Sequence, residues 1–167
     1  FCGDYELFRL KTLLLMLDDE RNDVYLHVDA RAVELFNQFK DFQLKKGKLI
    51  ILKNRIAVHW GDLSQVEVEY RLFETALNNG PYAYYHLLSG VDLPIKTQDY
   101  IHEFFQKHTG KEFIGFWNEP SHRKDVYRKV YRYYLFTQYF KEGSSFVHGI
   151  TAFTRNVFLG IQKLTKF

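Results

Sequence analysis

Two aspartates occupy positions from which an α/β protein could bind a ligand. Asp29 directly follows a short apolar segment, residues 24–28, and Asp92 lies in a Gly-x-Asp-x-Pro turn after a second one, residues 83–88. Ligands collect at the carboxyl ends of parallel strands, where a carboxylate commonly accepts hydrogen bonds from a ribose or a base edge. Asp is equally common in turns, because its side chain bonds the local backbone. Ligand contact and turn formation therefore both stay open for each residue.

The turn around Asp92 is restricted by its composition. Gly90 permits backbone conformations that other residues avoid, or lets a ligand approach closely. Pro94 fixes the direction in which the chain leaves and biases Leu93 towards extended geometry. Ser89 and Asp92 are therefore predicted to project from the lip of a sheet.

Other kinds of chemistry are not indicated. The sequence has no phosphate-cradling glycine-rich loop, and its seven histidines show no metal-ligand spacing such as His-Glu-x-x-His. Cys2 has no evident partner base, which argues against a thiol nucleophile. His27 lies inside an apolar segment, and the default interpretation is a histidine with a structural role.

The C-terminal third carries a regular pattern of basic and aromatic residues. Basic residues stand four apart on a predicted helix from residue 124 to about residue 140, at Lys124, Arg128 and Arg132. Tyrosines lie beside them, at Tyr127, Tyr131 and Tyr134. Like charges at this spacing repel in an isolated helix, which points to an acidic partner or an anionic ligand. A solvated basic face with tyrosines packed beneath it is the alternative.

Composition sets wider bounds. The 167 residues suit one domain with a sizeable core, and an aromatic content of 18% suits a carbohydrate-stacking surface as well as a large aromatic core. The formal charge of +3 is too small to indicate nucleic acid as a partner. A single cysteine excludes an internal disulfide framework and favours a reducing compartment. No apolar run reaches transmembrane length.

Hydrophobic periodicity predicts alternating helices and strands. The predicted strands are residues 24–28, 49–52, 83–88 and 112–116. The predicted helices are residues 4–17 and 32–39, one capped by Asp62 and Gln65, one capped by Thr97 that runs to about residue 108, and two later ones at 124–140 and 156–166. This alternation predicts an α/β fold with a doubly wound, mostly parallel sheet.

Three segments, in this order and spacing, carry a family resemblance: His27-Val28-Asp29, then Val58-x-Trp60-Gly61-x-x-Ser64 entering a helix, then residues 85–96 with Leu-Ser-Gly-x-Asp-x-Pro-Ile-Lys. Together they resemble the core 2/I-branching β-1,6-N-acetylglucosaminyltransferase family, which includes protein xylosyltransferases and bacterial members. The resemblance covers residues 4–117 clearly and later residues loosely. It implies a GT-A-like, Rossmann-type fold and inverting transfer of a sugar, GlcNAc or xylose, from a UDP-sugar to an acceptor hydroxyl. It also implies no metal and no other cofactor, because the family lacks Asp-x-Asp, which is absent here as well.

The resemblance assigns roles to individual residues. Asp29 matches the aspartate that contacts the uridine of the donor, with His27 and Val28 completing that strand end. The residues that match the frame of the donor pocket are Trp60, Ser64, Ser89, Gly90 and Asp92. The residues that loosely match the acceptor side are Glu119, Arg123, Lys124 and Arg128.

The resemblance implies that the family's general base and diphosphate-binding residues lie outside this sequence. That base is a glutamate that would follow Phe167, as would the basic residues that neutralise the diphosphate. We therefore expect a piece of a longer protein that is truncated at both ends. Within a single domain, 1–167, residues 1–117 would form the donor half and residues 118–167 a mainly helical acceptor side.

Partners and location follow as expectations. They are a UDP-sugar donor and a glycan or polysaccharide acceptor, without nucleic acid, in a bacterial cytoplasmic protein that could associate with the inner face of the membrane. Cysteine usage supports the cytoplasm, because Golgi members of the family rely on disulfides. The alternative is a non-catalytic α/β module whose tyrosine and arginine residues hold a glycan or a nucleic-acid strand.

Overall fold

The computed structural model describes residues 4–115, 119–139 and 144–165. The helices in these residues are α1 (Asp4–Met16), α2 (Val33–Phe39), α3 (Leu63–Asn79), α4 (Gln98–Lys107), α5 (Pro120–Val130) and α6 (Ser145–Thr165), with a 3-10 helix at Thr137–Tyr139. The strands are β1 (Asp23–Leu26) and β2 (Lys48–Ile51). By contacts between Cα atoms, the chain divides into two compact units. One consists of residues 1–58 and 66–111, and the other of residues 59–65 and 112–167.

Strands β1 and β2 form a parallel pair joined by a crossover through α2. Val24 pairs with Leu49 and Leu26 with Ile51. The first two predicted strands are therefore confirmed to within two residues at each end, as is the parallel arrangement. The apolar residues of both strands favour this outcome, because a parallel pair is covered by its crossover helix.

The other two predicted strands are wrong for the residues that the structure describes. Residues 83–88 and 112–115 form no strand, while residue 116 lies outside the described part. Side-chain packing explains the first difference. The Tyr84 hydroxyl donates to the carbonyl of His108 at 2.6 Å, and the rings of Tyr84 and His86 lie 4.7 and 4.5 Å from that of Phe105. The segment thus packs on α4 through its aromatic side chains, and the described sheet has two strands.

The buried core of the first unit lies where α1 and α2 meet the strand pair. Phe39 is fully buried and Leu14 nearly so, with Leu10 beside them. Phe42 contacts Phe39 edge to face, with ring centroids 5.5 Å apart. Burying a side chain such as that of Phe39 contributes about 1.5–3 kcal/mol, so these few residues anchor both helices to the sheet.

A single carboxylate fixes the approach to β2. Asp18, just after α1, accepts hydrogen bonds from the backbone N–H groups of Lys45, Lys46 and Gly47 at 3.0, 2.8 and 3.0 Å. The amides of Gly47 and Lys46 are the main cause of a lowered pKa for Asp18. Because Lys48 begins β2, this contact brings the start of β2 beside the loop that leads into β1.

The same loop holds α4 through polar contacts. The Asn22 side-chain amide donates to the carbonyl of Leu17 at 3.0 Å and to Gln98 Oε1 at 2.8 Å, while its oxygen lies 3.0 Å from His102 Nε2. Arg21 adds an ion pair with Asp99 at 2.7 Å.

The predicted helix starts at Asp62 and Thr97 are confirmed. Thr97 Oγ1 accepts from the amide of Tyr100, and Asp62 accepts from the amide of Ser64, both at 3.3 Å. Gln65 reaches back to the amide of Gly61 at 3.0 Å, one residue earlier than in a standard capping box.

In the second unit, the predicted helix from residue 124 to about residue 140 is wrong in its bounds, because α5 begins at Pro120 and ends at Val130. The buried Gln162 side chain of α6 accepts from the N–H of Tyr133 and donates to its C=O, both at 2.8 Å. This contact takes the backbone of Tyr133 out of a helical ladder. Among the described helices, α6 included, none has the length and apolar character needed to cross a membrane.

The surroundings of Gly47 and Gly90 predict opposite effects of an alanine substitution on stability. At Gly47, a Cβ atom would lie 2.7 Å from the backbone oxygens of both Asn22 and Asp19. We expect Gly47→Ala to lower the free energy of unfolding by about 1–3 kcal/mol, as overpacking does. At Gly90, an added Cβ would meet nothing within 4 Å, and φ is not positive. Gly90→Ala should therefore leave stability unchanged or raise it by up to about 1 kcal/mol.

Urea denaturation of the three proteins measures this difference. Similar midpoints for Gly47→Ala and the unsubstituted protein would contradict the close approach at Gly47.

Candidate functional site

The loops that follow β1 and β2 meet at Asp29. Its carboxylate accepts from the backbone N–H of Arg31 at 2.8 Å and from that of Val58 at 3.0 Å. The Arg31 guanidinium adds two hydrogen bonds at 3.0 and 2.9 Å. Val28, the residue before Asp29, is buried. Asp29 thus joins the carboxyl ends of both strands, the edge at which parallel sheets bind ligands.

The carboxylate of Asp29 is fully used by these contacts. An ionised carboxylate offers about four acceptor positions, and the amides of Arg31 and Val58 together with the Arg31 guanidinium supply four donors. Partial burial tends to raise the pKa of Asp29, but the hydrogen bonds from Arg31 and Val58 outweigh it and lower the pKa to about 2. Asp29 is therefore an ionised acceptor at neutral pH, and an incoming donor group would have to replace a bond from Arg31.

His27 and Arg55 make further hydrogen bonds between the loops that follow β1 and β2. His27 Nε2 accepts from the backbone N–H of Ile56 at 2.9 Å, so the neutral ring carries its proton on Nδ1. Partial burial lowers the pKa of His27, against the opposing charge of Asp29. Arg55 donates to the backbone carbonyl of Asp29 at 3.1 Å and stacks 4.2 Å from the centre of the Phe36 ring. The structural interpretation of His27 agrees with this geometry.

An open groove of about 600 Å³ borders the carboxyl end of β2. Its walls include Leu52, Lys53 and Asn54 from the strand end and Arg71 and Thr75 from α3. Glu74 of α3 also lines the groove, and Arg71 forms an ion pair with Glu67 at 2.8 Å, so the groove carries charges of both signs.

The turn around Asp92 is held by hydrogen bonds between its own residues. The Asp92 carboxylate accepts from the amide of Ser89 at 2.6 Å, which lowers the pKa of Asp92, and the amide of Asp92 donates to the carbonyl of Ser89 at 3.1 Å. Arg9 of α1 donates to the carbonyl of Val91 at 3.3 Å. Of the two alternatives for Gly90, the special backbone conformation does not occur, because its φ is not positive, and close approach of a ligand stays a prediction. Among the described residues, no hydrogen bond joins this turn to Asp29, so a shared pocket stays a prediction.

Trp60 and Ser64 lie in the second unit. The buried Ser64 hydroxyl accepts from the amide of His59 at 2.9 Å, so it is used at the start of α3. Asp62, two residues before it, accepts from the Thr137 hydroxyl at 2.7 Å. Trp60 has 58% of its surface exposed, which leaves ring area for stacking.

The predicted acceptor residues lie along α5. Glu119 is the residue that precedes the helix, and Arg123, Lys124 and Arg128 are exposed on it. Arg128 forms an ion pair with Asp125 at 2.9 Å. The structure thus brings these four residues together on one element.

The sequence interpretation missed Arg31, Arg55 and the Val58 amide. The Asp-x-Arg spacing of residues 29–31 is the one signal that could have indicated the first of them. No group of three or more His, Cys, Asp or Glu side chains that could hold a metal occurs among the described residues. The expectation of metal independence stays untested.

The lowered pKa of Asp29 predicts a dependence of stability on pH. Its pKa falls from an ordinary 3.8 to about 2, so its contribution is complete above pH 4 and is lost as the pH falls through 2. We expect Asp29→Asn to lower the free energy of unfolding at pH 7 by about 1–2 kcal/mol, because Arg31 is half exposed and its pairing is screened.

Urea denaturation between pH 7 and pH 2 tests this, with the exposed Asp41→Asn as control. A deficit of Asp29→Asn that stays constant down to pH 2 would contradict the assignment.

Comparisons with known proteins agree with the sequence resemblance. The profile of the family described as Core-2/I-Branching enzyme matches residues 1–146. Xylosyltransferase 1 of Canis lupus familiaris is 27% identical over 108 residues, which are 64% of this chain and 11% of the relative. Xylosyltransferase oxt of Drosophila melanogaster is 26% identical over 109 residues, 65% of this chain and 12% of the relative. No solved structure matches.

The chain therefore spans about an eighth or less of the length of these curated relatives. The family match covers most of the chain. By its residues 1–146, the chain belongs to the Core-2/I-Branching enzyme family.

Proposed function

We propose that the protein transfers a sugar from a UDP-sugar to an acceptor hydroxyl, with inversion and without a metal ion. The observation that carries this proposal is the ionised carboxylate of Asp29, which joins the loops at the carboxyl ends of two parallel strands. Family membership supports sugar transfer, and the position of Asp29 supports a nucleotide as the carrier of that sugar.

Donor binding would proceed by exchange of partners at Asp29. The uridine N–H would replace the Arg31 guanidinium on the carboxylate, and Arg31 would turn towards the diphosphate. The cost has two parts: the ion pair, worth about 0–1 kcal/mol because Arg31 is 46% exposed, and the hydrogen bond from the Arg31 guanidinium to the carbonyl of Val58, worth about 0.5–1.5 kcal/mol. The gain is larger, since a charge-assisted bond to a phosphate is roughly twice as strong as a neutral one. Arg31 would thereby supply positive charge that a metal supplies elsewhere.

The frame of the donor pocket is assigned by resemblance. By resemblance alone, Trp60 would offer its exposed ring to the donor, and Ser64 would hold the start of α3. Ser89 and Asp92 would present their turn to the donor. Gly90 fits close approach of a ligand, because the fold itself leaves room for a side chain there.

The transfer itself needs a base and a charged partner for the leaving group. The base takes the proton of the acceptor hydroxyl, and the acceptor oxygen attacks the anomeric carbon from the face opposite the diphosphate. The bond from that carbon to the phosphate oxygen breaks, and UDP leaves with the electron pair. We assign the base to a residue C-terminal of Phe167, as the resemblance implies, and Arg31 would be one of several charges on the diphosphate.

The donor sugar, the acceptor and the location are also proposed. GlcNAc or xylose would be transferred to a glycan or polysaccharide, held by Glu119, Arg123, Lys124 and Arg128. The single cysteine supports a bacterial cytoplasmic protein, and we propose in addition that it associates with the inner face of the membrane.

The exchange at Asp29 predicts different effects of two variants on uridine and on UDP. Asp29→Asn removes a charge-assisted acceptor worth about 1.5–3 kcal/mol, so we expect the affinities for uridine and for UDP both to fall about tenfold or more. Arg31→Gln should weaken UDP binding by a similar factor and leave uridine binding unchanged or slightly tighter, because Arg31 no longer competes for Asp29. Titration calorimetry measures both ligands, with Asp41→Asn as the control.

Unchanged UDP affinity in Asp29→Asn would reassign Asp29 to turn formation alone. An equal loss of uridine and UDP binding in Arg31→Gln would show that Arg31 acts by holding the loop.

Metal independence predicts that sugar transfer survives chelation. In a protein that also contains the proposed base after Phe167, transfer from radiolabelled UDP-GlcNAc and UDP-xylose should keep its rate in excess EDTA, because side chains supply the charge on the diphosphate. A loss of activity that Mg²⁺ or Mn²⁺ restores would contradict this part of the proposal.

A further inference from the structure

We infer that one face of α5 binds an anionic glycan as the acceptor, an inference that rests on the proposed function and names the acceptor class. The face consists of Lys124, Tyr127, Arg128 and Tyr131, and is called here the tyrosine–cation face. These residues stand at positions i, i+3, i+4 and i+7, with Tyr131 as the residue that caps the C-terminal end of α5, so their side chains share one side of the helix.

The two tyrosines form a preformed aromatic platform. The rings of Tyr127 and Tyr131 stack with centroids 4.8 Å apart and planes 21° apart. Their residues are 57% and 65% exposed, so each has ring surface open to solvent. Flat, exposed aromatic faces suit the C–H face of a sugar ring, and an exposed apolar cluster of this kind marks a binding surface.

The positive charge of α5 is only partly compensated. The helix carries four Lys or Arg side chains against one acidic residue, Asp125. Asp125 pairs with both Arg128 and Lys129, at 2.9 and 2.7 Å. Among the residues that the structure describes, Arg123 and Lys124 have no carboxylate within ion-pairing distance. On the tyrosine–cation face, a neutral glycan would use the platform and leave Lys124 without a partner, whereas an anionic glycan uses both the platform and the charge of Lys124.

Hydrogen bonds hold the backbone that carries the platform. The Tyr134 hydroxyl donates to the carbonyl of Arg128 at 2.9 Å, and the amide of Tyr131 donates to the carbonyl of Tyr127 at 3.0 Å. The paired bonds between Gln162 and the backbone of Tyr133 fix the chain just beyond the face. Little ordering of this backbone is then needed on binding, which favours affinity.

A glycan fits this surface better than an acidic peptide or a nucleic-acid strand. A helix satisfies its own backbone groups, so α5 offers no edge for the strand addition by which extended peptides bind. The formal charge of the whole chain, +3, is small for a nucleic-acid-binding protein. Family membership supports a saccharide-processing site.

The test compares probes of equal length by titration calorimetry on the purified protein: an oligogalacturonate, a neutral cello-oligosaccharide, an oligoglutamate peptide and a single-stranded oligonucleotide. We expect the oligogalacturonate to bind more tightly than the other three. Tyr127→Ala should weaken its binding about fivefold or more, as loss of a stacking platform does, and Tyr127→Phe should retain it.

The contribution of positive charge to binding is tested with a matched pair of variants. Lys124→Gln and Lys129→Gln remove the same charge from α5, but Lys129 lies off the tyrosine–cation face and pairs with Asp125. We expect several-fold weaker oligogalacturonate binding in Lys124→Gln and little change in Lys129→Gln. Both side chains are exposed, so folding is not at risk.

Several outcomes would overturn the inference: equal losses in the two lysine variants, unchanged binding in Tyr127→Ala, or tighter binding of the neutral saccharide, the peptide or the oligonucleotide. UDP affinity, measured on the same variants, should stay unchanged. Loss of UDP binding in Asp29→Asn without loss of oligogalacturonate binding separates the donor proposal from this one.

Discussion

The first unit depends on the contact between the Asp18 carboxylate and three successive backbone amides. A carboxylate that accepts from Lys45, Lys46 and Gly47 fixes where β2 begins, and the register of Val24 against Leu49 follows from that start. Gly47 is required because its backbone lies against two carbonyl oxygens of the loop before β1. With the strands in register, α1 and α2 cover them and bury Phe39. The hydrophobic core stabilises the packing of α1 and α2 on the strand pair, and the contacts of Asp18 set the register of β2 against β1.

Asp29 plays the corresponding part at the other end of the strands. The parallel register brings the two exit loops side by side, and Asp29 ties them through the amide of Val58 and through Arg31. An ionised acceptor, two arginines and an open groove thereby lie at one sheet edge. In our proposal, the ion pair between Asp29 and Arg31 holds the loops together in the absence of UDP. When UDP binds, Asp29 would bind the uridine and Arg31 the diphosphate.

Local patterns predicted α1, β1, α2, β2, α3 and α4, because each has a clear apolar period and flanking cap or turn residues. These local patterns predicted the wrong secondary structure where contacts with a side chain distant in the sequence determine the conformation. Residues 83–88 have the composition of a buried strand, yet Tyr84 and His86 pack on Phe105 of α4. The helix predicted through residue 140 ends at Val130, where Gln162 takes the backbone of Tyr133. At the site, the position of Asp29 was predictable from its strand. Its saturation by four donors was not, since Val58 is 29 residues away in the chain.

The central claim is that UDP binds where the loops after β1 and β2 meet. The most direct measurement is a titration of the ¹⁵N-labelled protein with UDP, followed by the backbone amide resonances in ¹H–¹⁵N correlation spectra. The account predicts that the largest chemical-shift changes fall on the amides of Arg31 and Val58, whose acceptor is the Asp29 carboxylate. UDP binding that shifts other amides and leaves these two unchanged would contradict it.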